Sequence, residues 1–388
     1  MSENPPYVLI TDVHSRKAFD VVNIVQRKLN YRVILASTKD VKVQLPIVYG
    51  QKIELLRYDN EKQFKSDLIT ITNKYFSKNL VFMPVSEQPL RFYITLREKS
   101  ELPSQWRSLT ADLRTFNLTA DKWAFQQYCE QNNHPVPKSY SKQTYSKLFK
   151  NFRPVVIKPK VGQGSVGIRY ANSISDLPAP DKVDWDNFLI QEKVVSKNKV
   201  AGAFFLMHNK RLIRTYCHQR LRTFPESGGV SVYSKSVVYE DIINLGEALL
   251  KELSWEGLAM IEFMFDETSK TWKIIELNPR LWGSVMLSEY CNSQFLKGFL
   301  KLALEEPFDV NSPISDLKSN VSIRWLYPFD LLSFIRGGVT LREFLRLETK
   351  VTCYVNMTYS SFIRSFAYLI YFTLNYNSIF RFIKKLKS

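Results

Sequence analysis

Cysteine and glycine are scarce in this chain of 388 residues, which has four cysteines and 13 glycines. The cysteines stand far apart, and no two of them form the C-x-x-C pair that is typical of zinc sites. They are Cys129, Cys217, Cys291 and Cys353. The spacing therefore predicts neither a zinc site nor a disulfide framework, and we expect four reduced thiols in a cytosolic protein.

Long apolar runs are also missing. The amino terminus has no basic region followed by an apolar stretch, so a secretory signal peptide is not expected. An apolar segment near the carboxyl terminus, about residues 366–374, is far shorter than the ~20 residues of a membrane-spanning helix. These absences predict a cytoplasmic protein.

Positive charge predominates, with 54 Lys and Arg against 37 Asp and Glu and a net charge of +17. Such a surplus favours anionic partners, which include nucleotides, anionic lipid and nucleic acid. No aromatic-basic recognition motif accompanies the charge, so a nucleic-acid partner is not expected. Nothing in the sequence indicates an oligomeric state.

The first 110 residues predict a small open parallel sheet. A buried-type strand (7–12), a helix (15–29) and a second strand (32–38) form a β-α-β unit, and another helix (61–76) and strand (79–87) follow. This opening unit has no G-x-G-x-x-G, so NAD is not predicted. Residues 111–310 predict a mixed α+β region instead, with a helix at 119–133, a helix at 240–254, and strands at 154–160, 187–195, 202–216 and 230–238.

The segment KIIELNPRLWGS (273–284) places three polar residues at alternate positions: Glu276, Asn278 and Arg280. In a strand these side chains share one face, and Ile275 and Leu277 face the other way, into a core. The preceding residues predict a hairpin centred on Ser269, which sets Glu262 opposite Glu276. Two facing carboxylates and an amide oxygen suit Mg²⁺. The alternative is an ordinary strand with a solvated polar face.

A second informative stretch is VVIKPKVGQGSVGI (155–168). A buried strand delivers Lys158 and Lys160 to a turn with three glycines, whose backbone amides can approach phosphate oxygens. The Walker A pattern is missing. Taken alone, the stretch is equally compatible with a plain glycine-rich hairpin.

Together the motifs resemble the ATP-grasp superfamily. The resemblance rests on DK at 121–122, KP and the G-x-G-S-x-G loop at 158–167, EKVV at 192–195, IEF at 261–263 and ELNPR at 276–280. It implies an α/β plus α+β fold: a Rossmann-like pre-grasp domain (1–110) and a two-lobed ATP-grasp domain (111–310, with a lid at about 135–195). Composition separately predicts a basic, aromatic-rich helical region at 311–388.

The resemblance also implies roles for individual residues. ATP would be bound with Mg²⁺, or with Mn²⁺ in its place. The implied ATP contacts are Lys122 and Lys158 at the phosphates, Gly162, Gly164, Ser165 and Gly167 in the lid, and Glu192, Lys193 and Val195 in the adenine hinge. Glu262, Glu276 and Asn278 would hold Mg²⁺, and Arg280 would stabilise the transferring phosphoryl group. No acidic residue lies between Lys193 and Pro225, so the ribose contact is unassigned.

CHQRLRTFPESGGVS (217–231) is the predicted substrate segment. Arg220 and Arg222 are expected on one strand face, where arginine suits carboxylate recognition; the alternative is two surface arginines. His218 is expected to be structural. The pattern is similar to one in carboxylate–amine ligases, a group that includes D-aspartate ligases.

The sequence therefore predicts a cytoplasmic ligase that uses ATP to join a small-molecule carboxylate to an amine through an acyl phosphate. Two alternatives remain open: an ATP-dependent carboxylase that uses bicarbonate, and a membrane-associated nucleotide-binding protein with little turnover. The carboxyl-terminal tail is relevant to the membrane-associated alternative, because residues 349–388 contain no acidic residue and six basic ones. Such a tail predicts either peripheral binding to an anionic membrane surface, with a cell-envelope or surface-sugar precursor as substrate, or a basic helix packed on the protein body.

Overall fold

The computed structural model describes residues 6–38, 48–75, 79–162, 167–197, 199–224, 229–310, 320–349 and 351–354, together with residues 366 and 370. Two of the residues implied in the lid, Gly164 and Ser165, lie outside this described part. So does most of the basic tail.

The amino-terminal region forms the predicted open parallel sheet, with strand order β3-β2-β1-β4-β5. The helix expected at 15–29 begins at Arg16 and changes to π-helical hydrogen bonding at Asn23, so its two parts are α1 and a π-helix (Asn23–Lys28). The bounds are β1 Tyr7–Ile10, α1 Arg16–Val22, β2 Arg32–Ser37, β3 Ile53–Leu55, α2 Glu61–Tyr75, β4 Leu80–Met83, α3 Glu87–Glu98 and β5 Trp106–Arg107.

A four-stranded sheet of order β6-β9-β7-β8 lies where the lid was predicted. The expected helix at 119–133 is two helices, α4 and α5, because Asp121 has extended backbone angles and its carboxylate accepts hydrogen bonds from Trp123 N (2.8 Å) and Ala124 N (3.0 Å). The bounds are α4 Leu113–Ala120, α5 Lys122–Gln131, β6 Ser139–Tyr140, α6 Ser146–Lys150, β7 Val155–Pro159, β8 Arg169–Ala171 and β9 Phe188–Glu192.

The largest sheet has seven strands in the order β14-β13-β10-β11-β12-β15-β16. The single strand expected at 202–216 is wrong. Asn209 and Lys210 both have positive φ, which is the geometry of a two-residue type I′ hairpin turn, so the chain reverses there. The bounds are β10 Val200–His208, β11 Arg211–Phe224, β12 Val230–Val237, α7 Glu240–Glu252, β13 Gly257–Asp266, β14 Thr271–Asn278, α8 Val285–Tyr290 and α9 Phe295–Ala303.

The carboxyl-terminal region continues the same sheet. β15 pairs antiparallel with β12, and β16 pairs parallel with β15. Between them Asp330, which is fully buried, accepts hydrogen bonds from Arg222 and Arg324. The bounds are β15 Val321–Arg324, α10 Leu331–Ile335, α11 Leu341–Leu345 and β16 Val351–Tyr354. Residues 320–354 thus add strands to the sheet, as well as the short helices that a helical region predicts.

One hydrophobic cluster runs through all three regions of the chain. It includes Val8 of β1 and Val22 of α1, Phe204 of the largest sheet, and Ile323 and Trp325 after residue 320. All four cysteines lie in the described part of the chain, and none of them forms a disulfide bond there. Within the described residues no helix is both long and apolar enough to cross a membrane.

Candidate active site

A cavity of about 240 Å³ lies where the largest sheet, the lid sheet and the amino-terminal region meet. Eight of the predicted site residues line it. They are Lys122, Lys158, Gly162, Arg220, Glu262, Glu276, Asn278 and Arg280. Four of the five sequence motifs, all except EKVV at 192–195, therefore contribute residues to one cavity.

The paired carboxylates stand as predicted. Glu262 of β13 lies directly opposite Glu276 of β14. A β-bulge produces this register: Phe263 pairs with Ile274, so Ile275 is the extra residue and Glu276 becomes the partner of Glu262. Leu277 is buried as expected, whereas Ile275 lines the cavity because the bulge turns it away from the core.

Cations surround the carboxylate pair. Lys122 Nζ lies 3.7 Å from Glu276 Oε2 and donates to the Gly162 carbonyl at 2.7 Å. Arg220 forms a two-pronged ion pair with Glu262. Lys158 is 6% exposed, and its burial lowers the pKa of its amine to about 8, against the opposing effect of Glu276.

The two carboxyl groups titrate differently. Burial raises the pKa of Glu262, and Arg220 only partly offsets this effect. Burial also acts to raise the pKa of Glu276, but Lys122, the Asn278 amide and further cations outweigh it, so that pKa is lowered. The ionised form of Glu276, which can bind a cation, is therefore stabilised by its surroundings.

The donor set fits Mg²⁺. The available ligands are two carboxylates and one amide, from Glu262, Glu276 and Asn278. The described residues include no group of three or more His, Cys, Asp and Glu that could hold a metal ion without other ligands. Mg²⁺ typically takes one or two protein carboxylates and completes its shell with water and phosphate oxygens. The three residues would therefore hold Mg²⁺ only together with a phosphate ligand.

Arg280 is fixed at the domain junction. Its Nε donates to Glu87 of α3 at 3.0 Å, and its Nη2 donates to Asn278 Oδ1 at 2.8 Å. The side chain is thus held between the amino-terminal sheet and the carboxylate pair, where it can neutralise negative charge that develops in the cavity.

Comparisons with known proteins agree with this geometry. The model of a protein family described as an ATP-grasp domain matches residues 119–284. Residues 119–284 are an ATP-grasp domain. No curated protein matches the chain by sequence.

Solved structures share the fold at low sequence identity. A biotin carboxylase from Campylobacter jejuni has a TM-score of 0.62 and 13% identity, covering 82% of this chain and 74% of that one. An L-amino acid ligase from Bacillus licheniformis has a TM-score of 0.57 and 16% identity, covering 82% and 78%. An N5-carboxyaminoimidazole ribonucleotide synthetase from Thermotoga maritima has a TM-score of 0.55 and 14% identity, covering 80% and 78%.

Some predicted residues do not line the ATP-grasp cavity: Gly167, Glu192, Lys193, Val195 and Arg222. The Glu192 carboxylate accepts from the Tyr140 hydroxyl at 2.8 Å, and the Lys193 amine donates to Asn172 at 3.2 Å. The contacts of Glu192 and Lys193 with adenine stay predictions.

The expectation that Arg220 and Arg222 share a strand face is wrong. Arg220 pairs with Ser234 of β12 and Arg222 with Tyr233, so a bulge at the intervening residue reverses the side-chain alternation. Arg222 consequently points at Asp330, to which it donates at 2.8 and 3.1 Å. It holds the carboxyl-terminal region against β11.

The lining residues that sequence reasoning missed include Arg16, Trp282, Ser284 and Trp325. Trp282 and Ser284 follow ELNPR directly, and the run RLWGS was a signal that could have located them. Arg16 and Trp325 lie far from every motif in the sequence. Only the folded chain brings them to the ATP-grasp cavity.

Proposed function

We propose that the chain is an ATP- and Mg²⁺-dependent ligase that joins a carboxylate to an amine, or to ammonia, through an acyl phosphate. The observation that carries the proposal is the single cavity in which Glu262 faces Glu276 with Lys122, Lys158, Arg220 and Arg280 around them. Cations and a paired carboxylate site are what phosphoryl transfer requires, because it depends on positioning and charge neutralisation.

The reaction has two steps. A carboxylate oxygen attacks the γ-phosphorus of ATP, the bond to the bridging oxygen breaks, and ADP leaves. The amine then attacks the acyl carbon, loses a proton, and expels inorganic phosphate, which leaves far more readily than oxide. Mg²⁺, when bound, supplies neutralisation of the phosphate charge.

The chain's own residues have separate parts in these steps. Lys122 and Lys158 bind the phosphate oxygens, and the Gly162 carbonyl orients the Lys122 amine. Arg280, braced by Glu87, stabilises charge on the transferring group. Arg220 holds the reacting carboxylate, to which it can present the same fork of N–H groups that it presents to Glu262.

Release of ADP and phosphate tests the proposal. Purified protein with Mg²⁺-ATP is assayed against a panel of amino acids and uronic acids. We expect release that depends on one carboxylate and one amine, and Glu276→Gln should lower it by at least ~100-fold, or about 3 kcal/mol of transition-state stabilisation. Glu267→Gln is the matched control, because Glu267 lies on the same hairpin and pairs with Lys199 and Lys270.

Two outcomes would contradict the proposal. ADP release that requires bicarbonate and no amine would instead support a carboxylase, the class to which the biotin carboxylase of similar fold belongs. Tight ATP binding without release on any member of the panel would support a nucleotide-binding role with little turnover.

A further inference from the structure

One wall of the cavity is not used by the proposed chemistry. It is built from Arg16 of α1, His218 of β11, Ser284 before α8, and Trp325 after β15. These residues come from four separate parts of the chain. The wall also adjoins the reacting groups, because His218 lies two residues before Arg220 on the same strand.

Arg16 is held in a fixed orientation. Its guanidinium carbon lies 4.5 Å from the centre of the Trp325 indole ring. Gly283 leaves room for it, since a Cβ at that position would stand 3.3 Å from Arg16 Nη2. A guanidinium that stacks on an aromatic ring keeps its N–H groups at its edge, where they can grip a carboxylate or phosphate in two places.

Ser284 stands next to Gly283 and is 4% exposed. Its Oγ lies 3.0 Å from Nδ1 of His218, which is itself 2% exposed. Burial lowers the pKa of His218 to about 3, so the ring is neutral at physiological pH. The question is therefore which ring nitrogen carries the proton.

The surroundings of Nε2 decide the tautomer. Nε2 is buried against Gly202 and has no hydrogen-bond partner among the described residues. A buried N–H without an acceptor is rarer and costs more than a buried acceptor without a donor. The proton therefore belongs on Nδ1, which donates to Ser284 Oγ. The Ser284 hydroxyl then keeps its own proton for an acceptor in the cavity.

Formal charge favours an anionic ligand on this wall. The cavity lining contains five Lys and Arg residues and two acidic ones, and both acidic residues belong to the proposed Mg²⁺ pair. The wall residues Arg16, His218, Ser284 and Trp325 include no acidic group. Asp20 of α1, whose pKa burial raises to about 7 against the opposing effect of Arg16, does not line the cavity.

We propose that Arg16 and Ser284 form a subsite for an anionic group, a carboxylate or a phosphate, that one substrate carries in addition to the carboxylate that is phosphorylated. The N–H groups at the edge of the Arg16 guanidinium, which stacks on Trp325, donate two hydrogen bonds to the anionic group. The Ser284 hydroxyl donates a third. That a substrate carries this anionic group rests on the proposed function. The binding of the anion itself can be tested without turnover.

The experiment measures anion binding to the full chain saturated with Mg²⁺ and a non-hydrolysable analogue of ATP, so that the subsites for all three phosphates of ATP are filled. Inorganic phosphate and succinate are the probes, and calorimetry gives their dissociation constants. We expect both probes to bind and to compete with each other. Arg16→Gln should weaken both by at least tenfold, and Ser284→Ala by a smaller factor, with ADP affinity unchanged as evidence of folding.

Arg32→Gln is the matched control. Arg32 also lies in the amino-terminal region and over an aromatic ring, that of Tyr7 at 5.6 Å, but it is outside the cavity. Its loss should leave binding of both probes unchanged. Probe binding that survives in Arg16→Gln, or that is absent in the wild type, would overturn the inference.

The two proposals fail in different ways. If ADP release depends on Glu276 while Arg16→Gln keeps the same KM for every substrate, the subsite is wrong and the ligase stands. If no panel member supports release but Arg16 is needed for phosphate or succinate binding, the anion subsite stands and the ligase is wrong. If phosphate binds and succinate does not, the anionic group is identified as a phosphate.

Discussion

Lys158 is the residue whose chemistry depends most on its surroundings. Its amine is buried, and burial lowers its pKa to about 8, with Lys122 adding to the effect and Glu276 and Glu262 opposing it. A lysine in water keeps its proton to beyond pH 10. Here the proton is lost within the range of ordinary assays, so the phosphate-binding charge becomes dependent on pH.

We therefore expect the affinity for Mg²⁺-ADP to fall as pH rises above about 8. Below that pH, Lys158 is protonated and attracts the phosphates; above it, the neutral amine does not, and affinity drops by up to tenfold per pH unit. Dissociation constants measured from pH 6.5 to 9.5 check the expectation.

Lys158→Arg is the informative variant, since arginine keeps its charge throughout this range. Its ADP affinity should be flat with pH above 8. A wild type and variant with the same pH profile would show that another group controls nucleotide binding.

At the residue scale, the sequence revealed those site residues that belong to short motifs. Lys158 could be placed because a buried strand and a glycine-rich turn mark it. The pairing of Glu262 with Glu276 was predicted correctly, although it depends on a bulge at Ile275 that the sequence does not signal. Arg222 was misplaced because nothing in the sequence signals a β-bulge, and the bulge at Leu221 turns Arg222 to the other face before a second shift at Thr223 restores the register. Arg16 could not be placed because its position depends on how a whole domain docks.

At the scale of elements, turn chemistry explains which hairpins could be predicted. The polar run before Thr271 marks a turn, and the strands on either side were located almost to the residue. Asn209–Lys210 lacks the glycine that usually marks a type I′ turn, and the strands on both sides of it are largely buried. The sequence of β10 and β11 therefore resembles that of one continuous strand.

Gly257, the first residue of β13, shows how an element is tied to its neighbour. Its φ is +87°, and a Cβ would stand 2.1 Å from the Leu109 carbonyl oxygen. Thr110 forms a single antiparallel bridge to it. The segment that joins the amino-terminal sheet to the ATP-grasp domain thus passes directly against the strand that carries Glu262.

Gly257→Ala should lower the free energy of unfolding by roughly 2–4 kcal/mol, because it combines an unfavourable positive φ with a clash against backbone. Urea unfolding measures the loss. Gly337→Ala is the control: its φ is +76°, and no heavy atom lies within 4 Å of a Cβ there. It should lose only about 1–2 kcal/mol. Equal losses would show that contact with Leu109 is unimportant.

At the scale of the whole molecule, three regions predicted separately share one hydrophobic cluster. Composition and motifs indicate where one kind of structure gives way to another, and so the amino-terminal sheet was found. They do not show which faces pack together. The strands β15 and β16 were missed for this reason, since β15 pairs with residues of β12 that lie 87 to 91 positions earlier in the chain, and β16 pairs with β15.

The basic tail supports a further prediction, peripheral binding to an anionic membrane. Residues 355–388 carry five basic residues and no acidic one, and each basic residue near an anionic surface contributes about 1 kcal/mol. We expect the full chain to pellet with vesicles that contain phosphatidylserine, and less so in 0.5 M salt.

A chain that ends at residue 354 keeps β16 and every residue that lines the cavity. It should stay in the supernatant and bind ADP as the full chain does. Equal pelleting of the two chains would remove the basis for membrane association. Pelleting with neutral vesicles would point to apolar insertion in place of charge attraction.

The stack of Arg16 on Trp325 joins the beginning of the chain to a segment near its end. During translation, the nucleotide-binding elements up to Arg280 leave the ribosome well before Trp325 does. A nascent chain can therefore form the place for ATP before it can form the wall that faces it. The last part of the cavity to be synthesised completes the wall that we propose holds an anionic group of a substrate, so premature termination after residue 310 would leave the cavity without Trp325.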